Sequence, residues 1–174
     1  MRGGGEFVMP RIVFDELEMR NFCQHEHMKL EFSSGVTGIV GSNGSGKSNT
    51  LKGLYYALTG ESVNAGTKQE DLRWGARSGH VKLVFRLEGA KYTCRRAVGS
   101  SRCQLLGPDG LKITKSSELN TFLSETLSVD PKILRDTMFV HQGKIDSILF
   151  EKPADRERSF QRLFGLSHLE KLYE

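Results

Sequence analysis

The chain is short of cysteine and of long apolar runs, and each shortage excludes a class of protein. Its 174 residues include three cysteines, Cys23, Cys94 and Cys103, and no two of them form a C-x-x-C pair. We therefore predict reduced, mostly packed thiols rather than a disulfide framework or a zinc site. No apolar run approaches the roughly 18 residues that cross a bilayer, and no signal peptide is recognisable. The sequence predicts an intracellular protein (cytoplasm, nucleoid or nucleus) with no membrane partner.

The hydrophobic content of 37% is sufficient for one compact domain with its own core. Residues 1–8 have no pattern and are interpreted as an expression leader, so that the domain begins at Met9. Basic residues are unevenly distributed, because residues 73–102 carry a net charge of +7 and the rest of the chain sums to −3. A local excess of positive charge favours a polyanionic partner, with DNA or RNA first.

The most specific motif is the octapeptide Gly41–Ser48, which fits G-x-x-x-x-G-K-[ST]. Its glycines allow turns that bring backbone N–H groups onto phosphate oxygens. Lys47 adds a positive charge toward the β and γ phosphates, and the Ser48 hydroxyl is placed to ligate Mg²⁺. A buried strand at 35–40 and a helix from about Gly46 to Leu58 are predicted around it. The motif predicts a site for ATP or GTP that comprises Gly41, Ser42, Asn43, Gly44, Ser45, Gly46, Lys47, Ser48 and Asn49.

The remaining pattern predicts a mixed α/β fold in which an antiparallel β-meander branches off the nucleotide-binding core. Strands are predicted at 11–21, 28–32, 81–88, 91–96 and in two short segments joined by a turn at 107–110. After residue 115 the apolar residues are spaced as in helices, and the first of these helices is marked by Leu119, Phe122, Leu123 and Leu127. A last helix, capped by Ser167, reaches Glu174 without a stop signal.

A P-loop hydrolase also needs a carboxylate at the end of a hydrophobic strand, to hold Mg²⁺ through water and to act as general base. No such strand follows the loop in this sequence. The segment Ile12–Glu16 imitates one, because Asp15 and Glu16 follow apolar residues, but it precedes the loop and its acids continue on an exposed face. Under the weaker of two interpretations, Asp15 and Glu16 are catalytic. Under the stronger interpretation they are not catalytic, and the chain holds only half of an ATPase.

The segment Gln142–Leu149, which follows the apolar run Met138–Val140, resembles the Q-loop of the SbcC and Rad50 DNA double-strand-break repair ATPases. These belong with the SMC proteins in the ABC superfamily. Asn21-Phe22 with the following His25, and Tyr56–Gly60 after the first helix, match the same family. The resemblance implies an ABC-type head lobe at 9–165 and the start of a coiled coil at 166–174. A C-terminal lobe would carry the signature motif and the catalytic carboxylates.

By this resemblance Lys47 and Gln142 are the catalytic residues of the chain, with Ser48 and Gln142 as metal ligands. Gln142 would complete the Mg²⁺ shell and sense the γ-phosphate, because an amide oxygen can face a metal or water while its nitrogen donates elsewhere. The alternative is an ordinary polar loop residue. The resemblance further implies a homodimer of heads that sandwiches two ATP molecules, a nuclease subunit as partner, and double-stranded DNA.

The sequence departs from the family in the residues that follow Phe22. Cys23-Gln24 stands where the family often has Arg-Ser, close to the nucleotide, so a phosphate-directed guanidinium is not carried over. Arg20 is a candidate substitute. Asparagine at position 49 is more typical of SMC proteins than of the repair ATPases, so the sequence does not decide between the two sister families.

The basic segment supplies the predicted DNA contacts, through Lys82, Arg86, Arg95 and Arg96. The alternative is a charged strand face that only keeps a sheet edge soluble. We therefore expect the N-terminal ATP-binding half of an SMC-like ATPase in double-strand-break repair or recombination. An SMC-type chromosome-organising ATPase without a nuclease is the alternative. An ABC transporter domain is disfavoured, because the sequence past Gln142 becomes a charged, open-ended helix.

Overall fold

The structure, a computed structural model, describes residues 12–62 and 69–127. Their elements are, in chain order, β1 (Ile12–Phe22), β2 (His25–Glu31), α1 (Lys47–Thr59), β3 (Gly79–Leu87), β4 (Ala90–Val98), β5 (Cys103–Leu106), β6 (Lys112–Ile113) and α2 (Ser116–Leu127). Neither of the two helices in this part of the chain is long and apolar enough to cross a membrane. The predicted leader, the Q-loop and the closing helices lie outside the described residues.

The six strands form one antiparallel sheet in the order β2-β1-β3-β4-β5-β6. The predicted antiparallel meander is present, and it is continuous with β1 and β2 in this sheet. Glu88 (φ 48°) and Gly89 (φ 83°) connect β3 to β4. Two successive left-handed residues give the hairpin turn whose twist matches that of a β-sheet, which explains the tight predicted turn.

The core lies on the face of the sheet that the two helices cover. Along β1 the buried Leu17 and Met19 alternate with charged residues, and along β4 the buried Cys94 is followed by the exposed Arg95. The helices contribute further buried side chains: Tyr55, Tyr56, Leu58, Leu119 and Leu123. Burial of each large apolar side chain contributes roughly 1.5–3 kcal/mol, so this face stabilises the domain. All three cysteines are free thiols, as predicted.

Helix α1 begins and ends at glycines in the left-handed region. Gly46 (φ 93°) precedes its first residue, and Gly60 (φ 70°) follows its last and donates its N–H to the Tyr56 carbonyl at 2.8 Å. This confirms the predicted helix and its glycine stop. Gly53 lies so close to β1 that a β-carbon there would overlap the Met19 sulfur, and small size at this position lets the helix pack onto the sheet.

The predicted buried strand at 35–40 is wrong. Residues 32–46 form no strand, and Val36 and Val40 are 98% and 96% exposed. A buried strand needs hydrogen-bonding neighbours for its backbone. Within the described ranges, no strand is hydrogen-bonded to residues 35–40. The apolar residues that indicated burial therefore have no paired strand beside them in this part of the chain.

Candidate nucleotide-binding site

The octapeptide Gly41–Ser48 forms an exposed turn that leads directly into α1. Gly44 (φ 80°) and Gly46 (φ 93°) adopt the left-handed conformation, which side chains disfavour. A β-carbon on Gly41 would lie 2.7 Å from the Ser45 Oγ. Gly44 and Gly46 are thus required by the backbone of the turn, whereas a β-carbon on Gly41 would require the Ser45 side chain to move.

The Lys47 side chain folds back over this turn. Its Nζ donates to the Gly41 carbonyl and to the Ser42 carbonyl, each at 2.7 Å. These two bonds hold the ammonium group at the centre of the loop. Phosphate oxygens are stronger acceptors for a charged donor than carbonyls are, so a bound phosphate can replace them.

The N-terminus of α1 provides the remaining donors. The first N–H groups of a helix have no intrahelical partner, and they form the positive end of its dipole. Gly46 has no side chain to cap them, and the first turn of α1 contains no acidic residue. Ser48 is exposed in this turn and Asn49 is half-buried. These residues fit a triphosphate with Mg²⁺, because the N–H groups and Lys47 suit anionic oxygens and the Ser48 hydroxyl suits a hard cation.

Two side chains from the β1–β2 turn support the loop, and the sequence did not identify them as contacts. Gln24 Nε2 donates to the Gly44 carbonyl at 2.7 Å, and His25 Nε2 lies 3.4 Å from the Gly46 carbonyl. A β-carbon on Gly46 would overlap the His25 ring. The sequence placed the residues after Phe22 near the nucleotide, but only coordinates reveal that they hold the two left-handed glycines.

The backbone at the β1–β2 turn is strained, and hydrogen bonds to Asp71 and Ser78 hold it in place. Asn21 (φ 49°) and Cys23 (φ 51°) are left-handed non-glycine residues. The Cys23 N–H donates to the Asp71 carbonyl at 2.6 Å, and Asn21 Nδ2 donates to the Ser78 carbonyl at 2.8 Å. Burial, and then the nearby Asp71, raise the pKa of the Cys23 thiol to about 11, so it remains protonated at neutral pH. The segment after residue 69 therefore supports the turn that supports the phosphate loop.

Arg20 does not supply the missing guanidinium. Its Nε donates to Glu18 Oε1 at 3.3 Å, and both side chains lie on the sheet face that carries charged residues. Alternation along β1 directs Arg20 away from Met19, which contacts α1. The prediction that Arg20 could replace the missing arginine is therefore wrong.

The acids that imitate a catalytic strand end are held by basic residues. Two nitrogens of Arg86, Nε and Nη2, donate hydrogen bonds to the Asp15 carboxylate at 2.7 to 3.1 Å. Glu16 accepts from Lys82 at 2.8 Å and lies 3.1 Å from the Lys29 Nζ. Hydrogen bonds from Lys82 and Lys29 lower the pKa of Glu16. Glu16 alternates with Leu17 on β1, so it lies on the face opposite α1, in agreement with the stronger interpretation of these acids.

The four predicted DNA contacts are in different environments. Arg96 is only 2% exposed and donates to the Ala57 carbonyl at 2.8 Å and to Asn120 Oδ1 at 2.8 Å. Its assignment to a DNA surface is wrong, because its face of β4 is the core face. Lys82 and Arg86 reach the opposite face but are ion-paired. Arg95 is exposed on that face and donates to His80 Nδ1 at 3.2 Å. Gln142 lies outside the described residues.

Comparison with known proteins agrees with this geometry. The AAA domain family model matches residues 16–174. The DNA double-strand break repair Rad50 ATPase of Methanocaldococcus jannaschii is 29% identical over 94% of this chain and 16% of its own length. That of Sulfolobus acidocaldarius is 28% identical over 94% of this chain and 19% of its own length. The chain thus spans less than a fifth of these relatives.

Two solved structures share the fold. One comes from work on ATP-driven dimerization and DNA stimulated activation of SMC ATPases, with a TM-score of 0.64, 24% identity, and coverage of 86% of this chain and 98% of that one. The other is the recombination mediator RecF, with a TM-score of 0.54, 23% identity, and coverage of 62% and 29%. They support a mixed α/β head-like fold with a P-loop. The chain belongs to the AAA domain family and is a homologue of DNA double-strand break repair Rad50 ATPases.

Proposed function

We propose that this chain is the N-terminal, ATP-binding lobe of a Rad50-type ATPase head that acts in DNA double-strand-break repair. The observation that carries the proposal is the phosphate loop. Its left-handed Gly44 and Gly46, the Lys47 ammonium folded over the turn and the uncapped start of α1 make one local set of donors. Such a set recognises a triphosphate through backbone N–H groups and one positive charge.

In this proposal residues 9–165 are the lobe and 166–174 begin a coiled coil. Ser48 and Gln142 hold the magnesium ion, which neutralises phosphate charge when it is bound. Lys47 positions the β and γ phosphates, and Gln24 and His25 keep the loop carbonyls turned away from them. The catalytic carboxylates come from a C-terminal lobe of the same protein, so hydrolysis needs that lobe.

The proposed assembly is a homodimer of heads that closes on two ATP molecules and cooperates with a nuclease subunit on double-stranded DNA. A nucleotide drives closure only if it binds the closed state more tightly than the open one. The relatives' identity as repair ATPases and the phosphate loop support this scheme. A chromosome-organising SMC-type ATPase is the second candidate, and Asn49 favours it. Sequence beyond Glu174 that encodes a hinge domain, rather than a C-x-x-C apex, would select the second candidate.

The experiment that tests the proposed site is titration of the full chain with Mg²⁺-ATP by calorimetry. Lys47→Ala removes the positive charge over the loop and two hydrogen bonds, so we expect at least a tenfold loss of affinity, about 1.4 kcal/mol. Lys112→Ala, which removes an exposed lysine from β6, is the matched control and should bind as the parent does. Equal affinity of the Lys47→Ala chain and the parent would contradict the loop assignment.

A further inference from the structure

Asn21, near the end of β1, has a left-handed backbone with φ 49°. Residues other than glycine rarely adopt this conformation, and asparagine is among the few that tolerate it. Cys23, two residues later, is also left-handed, with φ 51°. Strained residues persist only where their surroundings hold them, and they cluster at functional sites. Two such residues in one turn therefore indicate that the turn positions something.

One side of Asn21 is held by the segment 71–79. Its side-chain Nδ2 donates to the Ser78 carbonyl at 2.8 Å, and its own carbonyl accepts from the Arg73 N–H at 3.0 Å. A β-carbon on Gly79 would lie 2.6 Å from the Asn21 carbonyl oxygen, so glycine is needed for the two backbones to approach this closely. The conformation of Asn21 is thus determined by contacts with a segment far away in sequence.

The residues that follow Asn21 reach the phosphate loop. Gln24 Nε2 donates to the Gly44 carbonyl at 2.7 Å, and His25 Nε2 lies 3.4 Å from the Gly46 carbonyl. The direction of the chain after residue 21 depends on the φ of that residue, because φ is one of the two soft torsions of the backbone. A change of φ at Asn21 would therefore carry Gln24 and His25 away from the loop.

Asparagine meets two requirements at this position. Glycine adopts a positive φ freely but has no side-chain donor for the Ser78 carbonyl. Aspartate tolerates the left-handed region, but its ionised carboxylate only accepts hydrogen bonds and would face that carbonyl. Alanine meets neither requirement. Substitutions at Asn21 can therefore separate the role of the backbone from the role of the amide.

We propose that Asn21 is a positioning residue of the ATP site, which acts on the phosphate loop through Gln24 and His25. Its left-handed backbone and its amide fix the β1–β2 turn against the segment 71–79, and the turn holds the loop in the conformation that receives a triphosphate. A loop that is ordered before the ligand arrives loses less entropy on binding, so a weaker hold lowers the affinity. The inference rests on the proposed function, because it assigns a role in the binding of ATP.

The first test is titration of the full chain with Mg²⁺-ATP by calorimetry, at a temperature at which circular dichroism shows each variant to be folded. Asn21→Ala should weaken binding about tenfold, because it loses both the tolerance of a positive φ and the amide. Asn21→Gly should weaken binding only about threefold, because it loses the amide alone. Asp109→Ala is the matched control. It changes a left-handed residue (φ 54°) between β5 and β6, at the far edge of the sheet, and should bind ATP as the parent does.

A double-mutant cycle on ATP affinity tests whether Asn21 acts through Gln24. Gln24→Ala removes the donor to the Gly44 carbonyl and should weaken binding about fivefold. The chain that carries both Asn21→Ala and Gln24→Ala should bind ATP at least about threefold more tightly than the product of the two single effects predicts. A residue that only stabilises the fold would lower the free energy of unfolding without this coupling in ATP affinity.

Parental affinity in Asn21→Ala would overturn the proposal, and so would two single effects that simply multiply in the double variant. An equal loss in Asp109→Ala would assign the effect to backbone strain in general and would also overturn it. Asn21→Asp keeps the size and the tolerance of a positive φ, and it serves as the second variant should Asn21→Ala not fold. It should bind ATP about threefold less tightly than the parent, and parental affinity in it would count against the amide.

Failure of the proposed function would give a different result. The parent and Lys47→Ala would then bind ATP equally. Failure of this inference alone would leave Lys47→Ala defective and Asn21→Ala unaffected.

Discussion

Arg95 and Arg96 are adjacent on β4 and have opposite environments. Arg96 is enclosed on the core face, where it donates to the Ala57 and Leu58 carbonyls and to Asn120. Arg95 is open to solvent on the outer face and donates a hydrogen bond to His80. Alternation along a strand produces the difference. Charge counted along a sequence therefore does not measure charge on a surface.

The same comparison revises the meaning of the +7 segment. One of its arginines stabilises the end of α1, and Lys82 and Arg86 neutralise acids of β1. Only part of the charge is left for a polyanion, and within the described residues it belongs to the exposed Arg77, Lys91, Arg95 and Arg102. Three pairs of residues, each with one member in an enclosed environment and one in an open environment, allow this comparison to be tested.

The largest expected effect is on the arginine pair. Arg96→Met should lower the free energy of unfolding by about 3 kcal/mol, because it removes the charged donor from the Ala57 and Leu58 carbonyls at the end of α1. Arg95→Met should change it by less than about 0.5 kcal/mol, as is usual for surface positions. Urea unfolding of both variants measures the difference. Similar costs for the two variants would contradict the assignment of faces.

A smaller effect is expected for two left-handed glycines. Gly46→Ala places a β-carbon against His25 and Gln24, whereas Gly75→Ala (φ 78°) meets nothing within 4 Å. Both changes should cost about 1–2 kcal/mol of backbone strain. Gly46→Ala should in addition weaken ATP binding about tenfold, since the loop must shift away from Gln24. Calorimetry on both variants checks this, and equal ATP affinities would mean that the β1–β2 turn does not support the loop.

The smallest effect concerns two carboxylates with opposite pKa shifts. Burial raises the pKa of Asp71, which is 3% exposed, so its ionisation costs stability as pH rises above about 4. Lysine hydrogen bonds lower the pKa of Glu16, so its contribution is present above about pH 4.5 and is lost as pH falls. Relative to the parent, Asp71→Asn should gain stability as pH rises above about 4, whereas Glu16→Gln should be less stable above about pH 4.5, by a difference that shrinks as pH falls below that value. Thermal unfolding from well below pH 4 up to neutral pH tests both signs, and a Glu16→Gln deficit that grows as pH falls would refute the pairing.

Local chemistry was sufficient to predict much of this fold. Period-two alternation predicted β1 and β3, and Gly60 predicted the end of α1. Residues 35–40 were wrongly predicted as buried, because an apolar run indicates a preference for burial without indicating which strand would pair with it. The phosphate loop followed from its motif. Its support by Gln24 and His25 did not, because contacts about 20 residues apart in sequence depend on how the β1–β2 turn meets α1.

The arginine faces and Trp74 illustrate the same limit. Alternation along β4 places Arg96 on the same face as Cys94, but the sequence does not indicate which face of the strand the helices cover. The exposure of Trp74 depends on an irregular turn that no periodicity describes. Site chemistry that resides in a local motif was predictable, and chemistry assembled from distant turns was not.

The central claim is that this chain provides the phosphate cradle while the catalytic carboxylate comes from another segment of the protein. Steady-state phosphate release from the purified full chain, with Mg²⁺-ATP well above its Kd, tests this directly. We predict bound ATP and negligible turnover, with no further decrease in Asp15→Asn or Glu16→Gln. Steady release at a typical enzymatic rate, roughly 1 per second or faster, that either substitution abolishes would contradict the claim.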